Sequence, residues 1–445
     1  MDLQALDKAT PTDDYLFGKG PAWFAFAMTL GLMIFDYVDR QVIVSLFPYL
    51  KAEWNLSDKQ LGALVSVVSV TVALGALPVA LFADRVSRVK SIVTMATVWS
   101  LATISCMAAR SYGALLALRS VVGLGEAGYG AVGAALIASH FPARMRGALL
   151  AGFFASASVG SVLGVMLGGV IATHWGWQAA FGVVGIPGLL LALLYLKVRD
   201  YETVAMSPAL EAKRQSLGQT VRHITRLLAR SRTMLWVCIG GAAQLIVVSA
   251  LWSWLPSFLN RVHGIPPAQA GVKAALVVLC GAAGAVLWGA VVDRAGARRP
   301  RRKLATMALL CLLSMAVLVF AFTAHADAPL QFGLIALGGF LATATVGPVS
   351  AIVIDVIHPG VRATGSSVLA LFQNLFGLAA GPFLAGLLSD AWGLGPALAA
   401  MPLFALPAAA AFLLAARSYE ADKARAPMIC APIFSAIRAA ASSRL

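Results

Sequence analysis

The sequence predicts an all-α membrane protein: twelve transmembrane helices arranged as two six-helix bundles. Three observations carry that prediction: too little charge for a water-facing surface, apolar runs of membrane-crossing length, and a loop motif that occurs twice. Of 445 residues, 60% are hydrophobic and 12% charged, against roughly half and a quarter in a soluble domain. A helix crosses a bilayer with about twenty apolar residues, so this composition has room for about a dozen crossings. The same figures exclude a disordered, collagen-like or disulfide-stapled chain.

The first six apolar runs lie near residues 22–47, 60–83, 91–110, 112–138, 147–173 and 177–197. Six more lie near 233–259, 270–292, 304–324, 330–355, 364–388 and 394–416. Each is continuous, whereas the strands of a membrane barrel would alternate over about ten residues. The chain therefore divides into an N-terminal segment 1–21, a first bundle 22–197, a basic linker 198–232, a second bundle 233–416 and a tail 417–445.

A net charge of +15 would suggest nucleic acid in a soluble protein. Here the loops hold almost all of it, so no nucleic-acid partner is expected. Of the 34 Lys and Arg, 27 fall on the side of the termini and five on the other (Lys51, Lys59, Arg110, Arg261, Lys273). Only Arg40 and Arg119 lie within spans. Because Lys and Arg concentrate in cytoplasmic loops, both termini are expected in the cytoplasm; nothing in the sequence resembles an organelle address, so the plasma (inner) membrane of a bacterium is expected. The first twenty residues are polar, so no cleavable signal peptide is expected before span 1. The five cysteines lack metal-ligand spacing and read as small core residues. The six histidines fall in loops or at span ends, where a surface role is expected.

The repeat follows. After span 2 the chain reads Ala80-Leu-Phe-Ala-Asp84-Arg85-Val-Ser87-Arg88-Val-Lys90, and after span 8 Gly289-Ala-Val-Val-Asp293-Arg294-Ala-Gly296-Ala-Arg298-Arg299. The two Asp-Arg pairs are 209 residues apart, and Arg144-Met-Arg-Gly147 is echoed by Arg362-Ala-Thr-Gly365 at 218. Two inner-loop motifs at nearly one offset mark a duplicated six-helix unit.

These loops resemble those of major facilitator superfamily transporters. Ala80 and Ser87 depart from the pattern, standing where that family usually has Gly. The resemblance implies two bundles related by a pseudo-two-fold axis, a monomer, no cofactor beyond a proton gradient, and a central site opened alternately to each side. Span 1 with Asp36-Tyr-Val-Asp39-Arg40-Gln41 and span 4 with Arg119 through Gly123-Leu-Gly125-Glu126-Ala-Gly128-Tyr129 are most similar to the spinster-like family of sphingolipid and lysophospholipid carriers. They also overlap the organic anion:cation symporters. The motif residues Asp84, Arg85, Arg88, Arg144, Arg146, Asp293, Arg294 and Arg362 would, by that likeness, form an inner gate. Topogenic charge explains part of the same content.

Five charged residues fall within membrane depth: Asp36, Asp39, Arg40, Arg119 and Glu126. At roughly 2.5–3.5 kcal/mol each on insertion scales, they require pairing or protonation. Helix rise places Asp39 and Arg119 at similar depth, and Asp36 and Arg40 one turn apart on one face. Glu126 lies two turns below Arg119 on the same face. Burial raises a carboxylate pKa and a nearby Arg lowers it. A relay is therefore expected in which Asp39 and Glu126 exchange protons while Arg119 changes partner, with Asp36 a further member. The bland alternative is a set of structural ion pairs.

For substrate, Arg40 and Arg119 offer guanidinium forks to an anion. Tyr129 joins them from the first half, and Gln244, Trp252, Trp254, Thr343, Gln373 and Asn374 from the second. The two tryptophans suit an interfacial aromatic belt equally well. The largely aliphatic second half fits an acyl chain. The expected function is thus proton-coupled secondary transport of an anionic amphiphile such as a lysophospholipid or sphingolipid phosphate. A small organic anion, carboxylate or sugar acid, is the alternative. No zinc spacing, nucleophile elbow or His-carboxylate set favours an enzyme, and the second half lacks the polar lining of a channel. Gly123-x-Gly125-x-x-Gly128 mimics a dinucleotide fingerprint, but no strand precedes it. Gly160-x3-Gly164-x3-Gly168 and Gly377-x3-Gly381 are expected at close helix contacts, and Pro256 and Pro348 at bends. The basic stretch Thr220–Arg232 is expected on the inner membrane surface.

Overall fold

The structure is a computed structural model and describes residues 15–83, 87–200, 231–297, 299–324, 327–357 and 362–425. Most of the basic linker, including 220–230 of the stretch expected on the membrane surface, and the tail beyond 425 lie outside these residues. Among the described residues there are helices and no strands, and twelve helices are long and apolar enough to cross a membrane. In chain order they are span 1 (Lys19–Trp54), span 2 (Asp58–Ala76), span 3 (Arg88–Cys106), span 4 (Tyr112–His140), span 5 (Arg144–Trp175) and span 6 (Trp177–Tyr195). The rest are span 7 (Arg232–His263), span 8 (Pro267–Gly296), span 9 (Arg301–Thr323), span 10 (Ala328–Asp355), span 11 (Gly365–Trp392) and span 12 (Leu394–Arg425).

Several helices change form within the membrane, and the sequence supplies the reasons. Span 4 is α-helical to Glu126, after which Ala127 turns extended (ψ 124°) and Gly128 takes φ 83° before the helix resumes at Tyr129. Only glycine adopts that left-handed φ without a side-chain clash. Span 10 tightens into a 3-10 turn over Thr343–Thr345 and restarts at Val346, with Pro348 in its first turn where a missing N–H costs nothing. Span 11 widens into a π-helical turn over Gln373–Leu378, a form that recurs at functional positions. Span 7 stays α-helical through Pro256, whereas span 10 changes form just before Pro348.

The described chain forms two compact units. Among the described residues, unit 1 takes those within 15–56, 67–200 and 265–275, and unit 2 those within 57–66, 231–264 and 276–425. In unit 1, spans 1 and 5 meet along the glycine stripe. A Cβ on Gly160 would lie 2.3 Å from the Ile34 carbonyl oxygen, on Gly164 2.6 Å from that of Val38, and on Gly168 2.6 Å from that of Val42. In unit 2, Gly377 and Gly381 bring span 11 equally close to span 7, a Cβ on Gly381 falling 2.6 Å from the Ile246 carbonyl oxygen. Apolar helices gain little by burying oil in oil, so small-residue seams of this kind hold the bundles through close packing.

Candidate functional site

The five membrane-depth charges gather inside unit 1. Arg119 is fully buried, and its Nη1 donates to Asp39 Oδ1 at 3.0 Å and to the Asp39 carbonyl oxygen at 3.3 Å. Thr103 of span 3 donates to the other carboxylate oxygen of Asp39 at 2.6 Å. Three hydrogen bonds from two side chains thus converge on Asp39. One turn away, Arg40 Nε donates to Asp36 Oδ1 at 2.8 Å, the pairing that their four-residue spacing predicts.

Glu126 stands within 3.0 Å of Arg40 Nε and not against Arg119. Helical side chains lean toward the helix N-terminus. Arg40 therefore reaches down span 1 to the level of Asp36, which is also the level of Glu126, two turns deeper than Arg119 on span 4. The Nε hydrogen is directed at Asp36, so neither buried oxygen of Glu126 receives a hydrogen bond. Two buried nitrogens of Arg119, Nε and Nη2, likewise lack a partner. The Arg40 side chain is 16% exposed, the most open member of the set, and both of its ion pairs run through Nε. Its guanidinium also lies over the Tyr37 ring, 5.3 Å from the centroid. The cluster holds three carboxylates against two guanidinium groups.

Other residues expected at the site are placed differently. Tyr129 is wholly buried, donates its hydroxyl to the Thr29 carbonyl oxygen at 2.6 Å, and packs edge-on against Trp99 and Phe153. Trp254 is wholly buried in unit 2 with its indole N–H on the Pro382 carbonyl oxygen at 2.9 Å, which removes it from a lipid-facing aromatic belt. Gln244 donates to Ser314 Oγ at 3.2 Å and to the Ala342 carbonyl oxygen at 3.1 Å, leaving its own buried oxygen without a donor. Thr343 donates to the Gly281 carbonyl oxygen at 2.7 Å. The Trp252 indole nitrogen is buried without a partner. Gln373 and Asn374 open the π-helical turn of span 11, half-buried.

Of the motif loops, Asp84 and Arg85 lie outside the described residues, as does the side chain of Arg362. Arg88 donates to Ser139 Oγ at 3.3 Å, and Arg146 to the Phe141 carbonyl oxygen at 2.9 Å. Arg144 and Arg294 are exposed, and Asp293 pairs with Lys303 at 2.7 Å. Ser87, where glycine would be usual, caps span 3 by accepting from the Lys90 N–H at 3.0 Å and donates to Asp200. His140, expected at the surface, is buried at the end of span 4 with its Nδ1 3.0 Å from the Leu136 carbonyl oxygen.

Residues 29–380 match the model of the Major Facilitator Superfamily. The chain belongs to that family. It is therefore a multi-pass membrane transporter and not an enzyme. Protein spinster homolog 3 of Danio rerio is 24% identical over 86% of this chain and 80% of its own length. The gallate transporter of Pseudomonas putida is 27% identical over 92% of this chain and 94% of its own. The relatives thus include a spinster protein and a transporter of an organic anion. A crystal structure of a bacterial homolog of the human lysosomal transporter Spinster, inward-facing and unoccupied, superimposes with a TM-score of 0.81. It covers 91% of this chain and 99% of that one at 23% identity. The fold of this facilitator is accordingly that of two six-helix bundles.

Proposed function

We propose that this transporter is proton-coupled, works by alternating access, and moves an organic anion of amphiphilic character, a lysophospholipid or sphingolipid phosphate. The observation that carries the reading is the buried set of three carboxylates and two guanidinium groups in unit 1. Left fully ionised, it would hold one uncompensated negative charge in a medium where that is costly. One proton balances it. Glu126, with no hydrogen bond to either oxygen, is the carboxylate that takes the proton. Asp39 joins the relay when Arg119, whose two idle nitrogens are available to a second partner, releases it. Asp36 positions Arg40, and the part-exposed Arg40 receives the anion.

In the second half Gln244, Trp252, Thr343, Gln373 and Asn374 contribute contacts in an aliphatic surround suited to an acyl chain. Tyr129 and Trp254, their polar atoms committed to backbone oxygens, serve packing. The inner loops Asp84-Arg85-Arg88 and Asp293-Arg294, with Arg144, Arg146 and Arg362, lock the cytoplasmic side. The protein acts as a monomer in a bacterial plasma membrane with both termini in the cytoplasm. A small organic anion is the second reading, supported by the near full-length alignment with a gallate transporter.

Proteoliposomes under an imposed pH gradient test the coupling. Glu126→Gln and Asp39→Asn should each lose pH-driven accumulation by at least tenfold, while exchange of labelled for unlabelled substrate, which moves no net proton, persists in Glu126→Gln. Undiminished accumulation in both variants removes the relay. A thermal-shift screen separates the substrates: stabilisation by lysophospholipids or sphingolipid phosphates supports the amphiphile, and stabilisation by short carboxylates alone replaces it with the small anion.

A further inference from the structure

Unit 2 contains ten residues, 57–66, that belong in sequence to the first half of the chain. They are the first turns of span 2, and three kinds of contact bind them to spans 7 and 11. The first is ionic. Asp58 is a buried carboxylate, 3% exposed. Arg261, at the end of span 7, places Nη1 2.9 Å and 2.7 Å from its two oxygens, and Ser389 of span 11 donates to Oδ2 at 2.5 Å.

The second is a helix cap supplied by another helix. The four leading N–H groups of a helix have no partner within it. Here Ser57 and Gln60 form a capping box, the Gln60 N–H on Ser57 Oγ at 3.2 Å and the Ser57 N–H on Gln60 Oε1 at 2.9 Å. The Asp390 carboxylate of span 11 takes the next two, the Asp58 N–H at 2.7 Å and the Lys59 N–H at 2.8 Å. A carboxylate at that end also meets the positive pole of the helix dipole.

The third is backbone approach. A Cβ on Gly62 would lie 2.3 Å from the Pro382 carbonyl oxygen, and one on Gly386 2.4 Å from that of Asp58. Ser66 donates to the Ala379 carbonyl oxygen at 2.6 Å. Trp254 supports the same place: its N–H holds Pro382, its ring lies 3.0 Å from where a Gly386 Cβ would sit, and the Arg261 guanidinium is 5.8 Å from a ring centroid.

The start of span 2, the end of span 7 and the end of span 11 lie on one face of the membrane, the face opposite the termini, because successive spans alternate in direction. We propose that Asp58, Arg261, Ser389 and Asp390 form a latch that holds this face closed, and that Trp254 braces it. An open state at this face requires span 2 to leave spans 7 and 11. That exposes a carboxylate, a guanidinium and two helix N–H groups that the closed state satisfies internally. Weakening the latch shifts the population toward opening by the lost differential interaction.

The inference assumes alternating access, and its test is independent of substrate and proton. In a chain whose five cysteines are replaced by alanine or serine, Ser69→Cys puts one thiol on the face of span 2 that carries Gly62 and Ser66, one turn deeper. The rate of labelling by a membrane-impermeant maleimide applied to the face opposite the termini reports opening. Asp58→Asn and Arg261→Gln should each raise it at least fivefold. The double variant should do little more than either single, since the two residues act as one pair. Asp390→Asn and Ser389→Ala, which keep the ion pair, should give smaller increases and serve if a charge variant does not fold. Equal rates in the parent and every folded variant overturn the latch, and multiplicative singles overturn the pairing. Neither result alters the proton reading, which pH-driven uptake decides separately.

Discussion

At membrane depth units 1 and 2 are held by different chemistry, the buried Asp58–Arg261 pair of unit 2 lying at span ends, although a duplicated half-sequence supplies most of each. In unit 1, buried side chains answer one another with opposite charge: Arg119 with Asp39, Arg40 with Asp36 and Glu126. In unit 2, Gln244 and Thr343 answer backbone carbonyl oxygens at helix irregularities. A neutral hydrogen bond nets about 1 kcal/mol and does not depend on pH, whereas an ion pair changes character when one partner gains a proton. The duplication thus kept the scaffold in both halves and concentrated the membrane-depth charges in one. A transporter built this way keeps ion pairs at membrane depth in one half and neutral hydrogen bonds at that depth in the other.

The largest expected effect breaks the contrast at its source. Arg119→Met leaves Asp39 buried with Thr103 as its one remaining side-chain donor. Stranding a buried charge costs about 3–5 kcal/mol, so thermal unfolding in detergent should fall well below the parent at neutral pH. Acidification, which protonates the stranded carboxylate, should recover part of the loss. A deficit independent of pH would mean that Arg119 acts through packing and not through its charge.

Next in size, the glycine seams should prove alike in the two units. Gly164→Ala sets a methyl 2.6 Å from the Val38 carbonyl oxygen, and Gly381→Ala sets one 2.6 Å from that of Ile246. These carbonyl contacts are with backbone, which yields less readily than a side chain, and the Gly381 methyl also meets Ser249 Oγ at 2.0 Å. Each variant should lose about 1–3 kcal/mol, the usual cost of overpacking, with no change in the pH dependence of uptake. A pH shift in Gly164→Ala alone would show that the seam between spans 1 and 5 transmits the state of the charged set.

How far the sequence foretold this arrangement depends on which forces act locally. The twelve spans, the glycine stripes and the Asp36–Arg40 and Asp39–Arg119 pairs follow from length, spacing and depth, which are properties of single helices. The position of Glu126 beside Arg40 does not, because it depends on how far a long side chain leans down a neighbouring helix. The motif around Tyr129 drew that residue toward the substrate list, yet its hydroxyl is spent on Thr29. The break at Gly128 beside Glu126 was visible only as a glycine among several. The latch was hidden for a further reason. Asp58, Arg261 and Asp390 lie more than a hundred residues from one another and look in sequence like ordinary loop-end charges. Only the Ser57-x-x-Gln60 capping box advertised that the start of span 2 was carefully terminated.

The smallest expected effect sharpens the contrast from the neutral side. Gln244→Leu removes the donor to Ser314 and to the Ala342 carbonyl oxygen, together with an acceptor that has no partner of its own. Losing two neutral hydrogen bonds subtracts about 1–3 kcal/mol, and relieving an unsatisfied buried oxygen gives part of it back, so the net change in stability should stay under about 1.5 kcal/mol. The functional signature matters more. If unit 2 serves cargo and unit 1 serves the proton, the apparent KM should rise several-fold while the pH at half-maximal uptake stays where it was. Glu126→Gln should do the reverse, abolishing the pH response and leaving exchange intact. A shift of the pH profile in Gln244→Leu equal to that of an ionisable-site variant would mean the neutral network is coupled to the charged one, and the division of labour between the halves would have to be abandoned.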